Sequence, residues 1–373
     1  MALEERVVMA FIVQGLQFGD ECKGATVDYL CSQHRIDLVV RYNGGFQAAH
    51  NVVMNDGSHH TFSQFGSGTL RGVRTYVGEH VIVDPLSLIQ EALHLKSLGI
   101  NPYDLLTMHQ DCLISTIYHK RANRVLDQEN SHGSCGVGIG LTRKMWSETG
   151  DGLRVSDLFD NKILKRKLNW IRQWCQDQIC FYKKGYAEDI NIDWKGETIK
   201  FEEELRLLYN ARILLNPAET CYRRSRVIFE GSQGFGLDEV HGTIPHTTYS
   251  NTKPTYALEM CREWDIQPHI YGLFRPYETR HGNGPMFKEE FGKDFVDLSK
   301  DHNWNNGSFA GNFRFGHLNV DAVERSAKMC GADELVLSCA DHASADYVKY
   351  LRDRFKNIRI ISYGPKAEDR IRV

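Results

Sequence analysis

GLQFGDECKGATVDYL, residues Gly15 to Leu30, follows the apolar run Val7-Val8-Met9-Ala10-Phe11-Ile12-Val13. The order is strand, glycine turn, acidic pair, lysine, glycine, then a helix-like stretch. A strand feeding such a turn offers backbone N–H groups and a helix N-terminus to an anion. The common phosphate loop reads G-x-x-x-x-G-K-[ST]. Here Lys23 precedes Gly24, and Asp20-Glu21 stand where phosphates would approach. Lys23 supplies a point charge for a phosphate. Asp20 would repel phosphates unless Mg2+ lies between them. It therefore has two candidate roles, metal ligand and general base, beside the plainer one of helix N-cap.

Outward from this stretch, β-type runs are bounded by glycine or polar residues. They are Asp37–Tyr42, Arg74–Val83, Val227–Phe229, Ile266–Phe274, Glu334–Ser338 and Ile358–Ser362. Helical patterns lie between them, at Pro85–Leu98, Lys162–Tyr182, Phe201–Leu215 and Val320–Met329. Strands alternating with helices predict an α/β fold with a central, mainly parallel sheet flanked by helices. Ligands on such sheets gather at the carboxyl ends of the strands. The segment from Asp160 to Arg226 is rich in Trp, Lys, Glu and Tyr and poor in glycine, and reads as a helical insertion. No internal repeat or long linker divides the chain.

The chain has 373 residues, 42% hydrophobic and 25% charged, as an ordinary globular protein has. A formal charge of −3 gives no electrostatic reason to expect nucleic acid or anionic membrane as a partner. No apolar run approaches the ~20 residues of a membrane span. Acidic residues precede the N-terminal apolar run and no small-residue cleavage site follows, so no signal peptide is expected. The ten cysteines form no CxxC pair, which argues against a zinc ribbon and for reduced thiols in a cytosolic protein.

Glycine clusters with polar partners recur at 15–24, 43–50, 132–140, 230–243, 279–285, 305–317 and 362–365. Any one could be only a turn. Together they suggest a large polar site built from backbone amides, suited to more than one phosphate-bearing substrate. His50 closes the second cluster after Gly44-Gly45 and an alanine pair, where an imidazole could reach a phosphate; a lone histidine is more often structural.

These motifs, in this order, resemble the adenylosuccinate synthetase family. GLQFGDECKGATVDYL resembles GxQWGDEGKGKIVD, and VVRYNGGFQAAHNVV resembles VVRxxGGxNAGHTVV. VGEHVIVDP, HGSCGVGIG, GLRVSDLFD, EGSQGFGLDEVHGTIPHTTYSNT, TRHGNGP and ISYGP each resemble a further family motif, and the likeness covers nearly the whole chain. It implies one domain over 1–373 with a P-loop-related fold, within which the helical insertion lies at about 160–226, cytoplasmic in location, or in the host cytoplasm if phage-encoded. It implies a C–N ligase. A base removes the N1 proton of a 6-oxopurine nucleotide, O6 attacks the γ-phosphate of a triphosphate with Mg2+ present, and aspartate displaces the 6-phosphoryl group. Carried over residue by residue, Asp20 is the base and a Mg2+ ligand, the Ala49 carbonyl is the second metal ligand, and His50 stabilises the transferring phosphoryl group. Gln233 stands near the purine and phosphoryl group, Thr248 holds the 5′-phosphate, and Asn43, Ser134, Cys135 and Asn312 join them around the purine monophosphate. Gly19, Glu21, Lys23, Gly24, Ala49, Asp341, Gly364 and Pro365 line the triphosphate, and Arg314 binds the aspartate carboxylate.

The departures point to a branch. In SFAGNFRFGHL one arginine of the family's cluster survives and Asn312 replaces the arginine that reaches the ribose 2′-hydroxyl, which favours a deoxynucleotide. Cys135 replaces the phosphate-binding threonine, and Val137 a loop arginine. Where the guanine-reading motif is TKLD, this chain has Ser338-Cys339-Ala340-Asp341, without the lysine. These changes resemble the phage 2-aminoadenylosuccinate synthetase branch, with dGMP and ATP in place of IMP and GTP, toward 2-aminoadenine DNA. The retained Asp20 keeps a conventional enzyme using IMP and GTP as the alternative, and the lost arginines keep a catalytically silent nucleotide-binding protein as another. GDGLR lacks the arginine pair by which the usual dimer completes its site, so a homodimer stays open.

Overall fold

The computed structural model describes residues 9–130, 136–182, 225–289 and 313–373, with short pieces at 196, 198–203, 205, 214–215 and 296–297. A ten-stranded sheet forms its centre. From one edge the order is Arg370–Arg372, Ile358–Ser362, Glu334–Leu337, Gln267–Phe274, Met9–Gly15, Val227–Glu230, Leu38–Arg41, Arg74–Val77, Leu106–Met108 and Leu214–Leu215. Every pairing is parallel except that of the first edge strand, Arg370–Arg372, which runs antiparallel. The inner strands LVVR and VIFE are buried at every position, as strands covered on both faces must be. Apolar clusters lie on both faces, one around Ile12, Val40, Phe229 and Trp264, another around Val13, Val27, Leu30 and Val336.

The expected strands and helices stand close to their sequence bounds, with two differences. Arg74–Val83 is two strands, Arg74–Val77 and Ile82–Val83, because Gly78 turns the chain between them with its N–H on the Arg41 carbonyl. Of the helix expected at Phe201–Leu215, residues 201–203 and 205 are helical, most of the rest lies outside the described residues, and Leu214–Leu215 is an edge strand beside Leu106–Met108. The 160–226 stretch thus contributes the helix Asn161–Tyr182 and a strand of the main sheet. Two antiparallel pairs carry site residues off the main sheet, His50–Val53 with His59–Phe62 and Tyr277–His281 with Phe313–His317.

Because nine strands run the same way, the loops after Gly15, Arg41, Glu230, Phe274, Leu337 and Ser362 emerge on one rim. Those loops hold most of the glycine clusters. Met9–Gly15 lies between Val227–Glu230 and Gln267–Phe274, so three neighbouring strand ends meet at the opening motif.

Candidate active site

The loop Gly15–Gly24 is shaped around Glu21, which is fully buried. Its Oε1 accepts from the backbone N–H groups of Gln17 (3.0 Å) and Gly19 (2.9 Å). Its Oε2 accepts from Lys23 Nζ at 2.7 Å. A Cβ on Gly15 or on Gly234 would stand 2.4 Å from this carboxylate, so both glycines make room for it. Glu21, expected among the triphosphate residues, therefore faces the protein and organises the loop that would face phosphate. It also takes up one amide of the cradle, that of Gly19.

Asp20 points the other way. Its backbone is left-handed (φ 61), and Cys22 two residues on is the same (φ 60). Its Oδ2 lies 3.0 Å from His281 Nε2. Its backbone carbonyl accepts from Arg275 Nε. Burial pushes the carboxyl up, but the hydrogen bond and charge of His281, then Arg275 and Lys23, outweigh it and hold it at about 2. Asp20 is thus an ionised, half-buried carboxylate beside the His281 imidazole and near the charges of Arg275 and Lys23.

His50 begins its strand opposite. Its Nδ1 is 2.5 Å from Glu230 Oε1. Glu230, fully buried at a strand end, also accepts from the Ser67 N–H at 2.9 Å. Arg41, in register beside Glu230, ends the neighbouring strand and donates to Ser232 Oγ at 3.0 Å. Burial, then the Arg41 charge, push the imidazole down to about 4 against the pull of Glu230. Glu230 is held at about 2, where Arg41 and His50 outweigh burial. The pair is a neutral imidazole on a carboxylate. That fixes the Nδ1–H tautomer and leaves Nε2 as the atom able to gain a proton.

Gly24 opens the helix Lys23–Gln33 against this strand. A Cβ there would meet His50 Cβ at 2.7 Å and Ser67 Oγ at 2.8 Å. Ala49, beside His50, is exposed. Gln233 again has a left-handed backbone (φ 62) and donates through Nε2 to Thr248 Oγ1 at 3.1 Å. Its Oε1 is buried without a partner among the described residues. Two residues expected at the purine nucleotide thus touch, with an unused acceptor beside them.

Other expected residues are committed to the frame. Asn43 is fully buried: its Nδ2 donates to the Asn251 carbonyl at 2.9 Å and its Oδ1 accepts from the Ser232 N–H at 2.8 Å. Arg314 donates to the carbonyls of Gly282 (2.8 Å) and Gly284 (2.7 Å) and to Glu289 (2.9 Å), so it holds the TRHGNGP turn in place. Gly364 lies against Asp369, whose Oδ2 a Cβ would meet at 2.5 Å, and Pro365 follows it. Asp341 lies in the one-turn helix Ala340–His342, 3.6 Å from His342 Nε2. Ser134, Cys135 and Asn312 lie outside the described residues.

Glu230 and His281 stand inside motifs read from the sequence and Arg275 just beyond a predicted strand, but none of the three has a role assigned from sequence. Their signal was position: Glu230 opens EGSQG, Arg275 follows a strand end, and His281 stands in TRHGNGP where the resembling motif has valine. Their partners lie 180 to 261 residues away, so only the fold identifies them.

Asp20 and the Ala49 carbonyl are the groups that could hold Mg2+. Among the described residues no three His, Cys, Asp or Glu side chains form a metal cluster. A single ionised carboxylate plus a carbonyl, with the remaining positions left to phosphates and water, is the donor set Mg2+ takes. No helix among the described residues is long and apolar enough to cross a membrane.

The family model described as adenylosuccinate synthetase matches residues 12–350. The adenylosuccinate synthetase of Ehrlichia canis (strain Jake) is 33% identical over 313 residues, covering 78% of this chain and 68% of the relative. That of Ehrlichia chaffeensis is 30% identical over 389 residues, covering 96% and 82%. Among solved structures, the fully ligated adenylosuccinate synthetase of Plasmodium falciparum has a TM-score of 0.81 at 18% identity, covering 98% of this chain and all of that one (100%). Cyanophage S-2L succinoaminodeoxyadenylate synthetase, bound to dGMP and to dATP as an energy donor, has a TM-score of 0.70 at 17% identity, covering 98% and 96%. These two structures share the fold, an α/β architecture on a large, mostly parallel sheet.

Proposed function

Because the chain belongs to the adenylosuccinate synthetase family, a family of C–N ligases, we propose that it joins L-aspartate to dGMP at the expense of ATP. The product is N6-succino-2-amino-2′-deoxyadenylate, released with ADP and phosphate. Asp20 accepts the purine N1 proton. As the purine displaces His281 from Asp20, the main influence holding that carboxyl low is removed and its basicity rises. The O6 oxyanion attacks the γ-phosphorus and the bond to the β-phosphate oxygen breaks. The aspartate amine then adds at C6, and the phosphoryl group leaves with O6 as phosphate. Transfer of this kind needs positioning and cationic donors more than covalent chemistry. Lys23 and the loop amides meet the phosphates. His50, neutral in this structure, gains a proton at Nε2 as phosphate charge arrives, and then donates to the transferring group. Gln233 offers its unused Oε1 to the purine, and Thr248 its hydroxyl to the 5′-phosphate. Arg314 holds the turn facing aspartate and reaches the carboxylate by giving up Glu289. Mg2+, held by Asp20 and the Ala49 carbonyl, neutralises phosphate charge when bound.

The observation that carries ATP over GTP is Cys339. At the place of the guanine-reading lysine its short side chain turns to Cys22, 3.5 Å away, and presents no cation to a guanine. The deoxynucleotide rests on Asn312. The cyanophage enzyme of the same fold was bound to dGMP, which supports this reading. A second reading, IMP with GTP, draws support from the retained Asp20 and from the two Ehrlichia relatives named adenylosuccinate synthetase. The deciding experiment offers dGMP, GMP, dIMP and IMP with aspartate, Mg2+ and either ATP or GTP, and measures phosphate release. Release with dGMP and ATP is expected; release with IMP and GTP alone sinks the proposal. If no pair is turned over, and Asp20→Ala and His50→Asn leave nucleotide binding as it was, the chain is a silent nucleotide binder. We also read residues 1–373 as one domain working in the cytoplasm.

A further inference from the structure

Cys22 and Cys339 are 317 positions apart in sequence, and their sulfurs lie 3.5 Å apart. Cys22 immediately precedes the helix Lys23–Gln33, and Cys339 the one-turn helix Ala340–His342. Both have left-handed backbones (φ 60 and 53), so two tight turns aim the thiols at each other. Both residues are partly exposed. Their turns leave strands separated in the sheet only by Gln267–Phe274. The buried Arg370 guanidinium lies near both sulfurs, with Nε and Nη2 lacking hydrogen-bond partners among the described residues. By contrast Cys112, Cys175, Cys261 and Cys330 are buried, and burial pushes each of these thiols up, Cys261 and Cys330 to about 12. Those four are inert by that criterion.

Both cysteines also stand where the resembling motifs have other residues, glycine in GDEGKG and lysine in TKLD. The loop offered to phosphate and the segment offered to the base thus each supply one sulfur to a single contact.

We propose that Cys22 and Cys339 are a reactive dithiol, a modification site at which a hydroperoxide forms a disulfide across the triphosphate pocket. One sulfur attacks a peroxide oxygen. The O–O bond breaks, an S–O bond forms, and water or an alcohol leaves with the thiol proton. The second sulfur attacks the resulting sulfenic sulfur. The S–O bond breaks, the S–S bond forms, and water leaves with the second proton. The two thiols lose two electrons and the hydroperoxide gains them. Closing to a disulfide brings the sulfurs from 3.5 Å to ~2.05 Å, a movement the two turns can share. The new bond ties the residue before Lys23 to the one two places before Asp341. The effect on ATP affinity rests on reading these segments as the triphosphate site; the cross-link does not.

The test treats the full chain with hydrogen peroxide, alkylates remaining thiols, and maps peptides by mass spectrometry without reduction. A linked peptide pair containing Cys22 and Cys339 is expected, and dithiothreitol should abolish it. Affinity for ATP, read by equilibrium binding, should fall at least about tenfold on oxidation and return on reduction. Cys339→Ser and Cys22→Ser, each checked for a native melting transition, should form no such link and keep their own untreated affinity under peroxide. Oxidation of other thiols with no Cys22–Cys339 peptide overturns the proposal. So does a cross-linked protein that binds ATP as before. If the untreated chain binds ATP but releases no phosphate with any nucleotide pair, the ligase reading fails while the linked peptide still decides the dithiol.

Discussion

At the level of single residues, adjacent carboxylates in one loop do opposite work. Asp20 faces outward with His281 on it, while Glu21 faces inward and is consumed by Gln17, Gly19 and Lys23. Asp20→Asn should therefore keep the fold and lower kcat by about 10²–10⁴, the range for a lost general base. Glu21→Gln should act otherwise. It keeps the shape but removes the charge partner of a buried lysine, a change that costs about 3–5 kcal/mol where a pair is fully buried. A lower melting temperature and a raised KM for the triphosphate, with KM for aspartate little changed, would bear this out. His281→Leu removes the hydrogen bond that lowers Asp20, and steady-state kinetics should show kcat changed by about tenfold or less with the melt preserved. The sequence showed that two acids sit beside a phosphate loop, but not their division of labour. The division depends on left-handed backbones at Asp20 and Cys22, which residue types do not announce.

Secondary-structure elements decide which glycines matter. Gly24 lies where the first helix crosses the His50 strand, and a methyl group there meets His50 Cβ at 2.7 Å and its carbonyl carbon at 3.1 Å. Backbone cannot swing aside as a side chain can. Gly24→Ala should cost about 1–3 kcal/mol and displace His50, lowering turnover with it. Gly57, in the turn after His50–Val53, has open space around it and only a positive φ (+86). Gly57→Ala should cost about 1 kcal/mol through backbone strain and leave turnover intact. Chemical denaturation with parallel rate measurements separates the two. The long β-runs and amphipathic helices were legible because burial on a sheet writes a period into the sequence. Leu106–Met108 and Leu214–Leu215 were not, since two or three residues carry no period. Arg370–Arg372 was not either, because an antiparallel edge strand with one face in water can be mostly arginine.

Across the whole molecule, buried titratable groups set the response to acid. Burial pushes His50 down to about 4 and His119 to about 3, and it lowers His34, His59 and His80 as well. An unfolded chain protonates these rings below about 6.5 and the folded one does so later. Their stabilising contribution is thus complete above about 6.5 and is lost as pH falls toward 4. Glu278, which burial raises to about 7, works in the opposite sense over the same window, because the folded state holds its proton longer. The melting temperature should fall by roughly 3–5 °C from pH 7 to pH 5. Glu278→Gln should make that fall steeper, and a melt series in matched buffers checks both. Below about 4.5, protonation of Asp20 and Glu230, each held at about 2, adds a second decline. The contacts that assemble the site also set an order in time. Asp20 meets a residue 261 positions later, and Cys22 one 317 positions later. During synthesis the opening loop leaves the ribosome before these partners and must wait for both. A nascent chain stopped before Glu334 lacks the neighbours that complete its sheet, so nucleotide capture follows the synthesis of that strand and cannot guide the folding that precedes it.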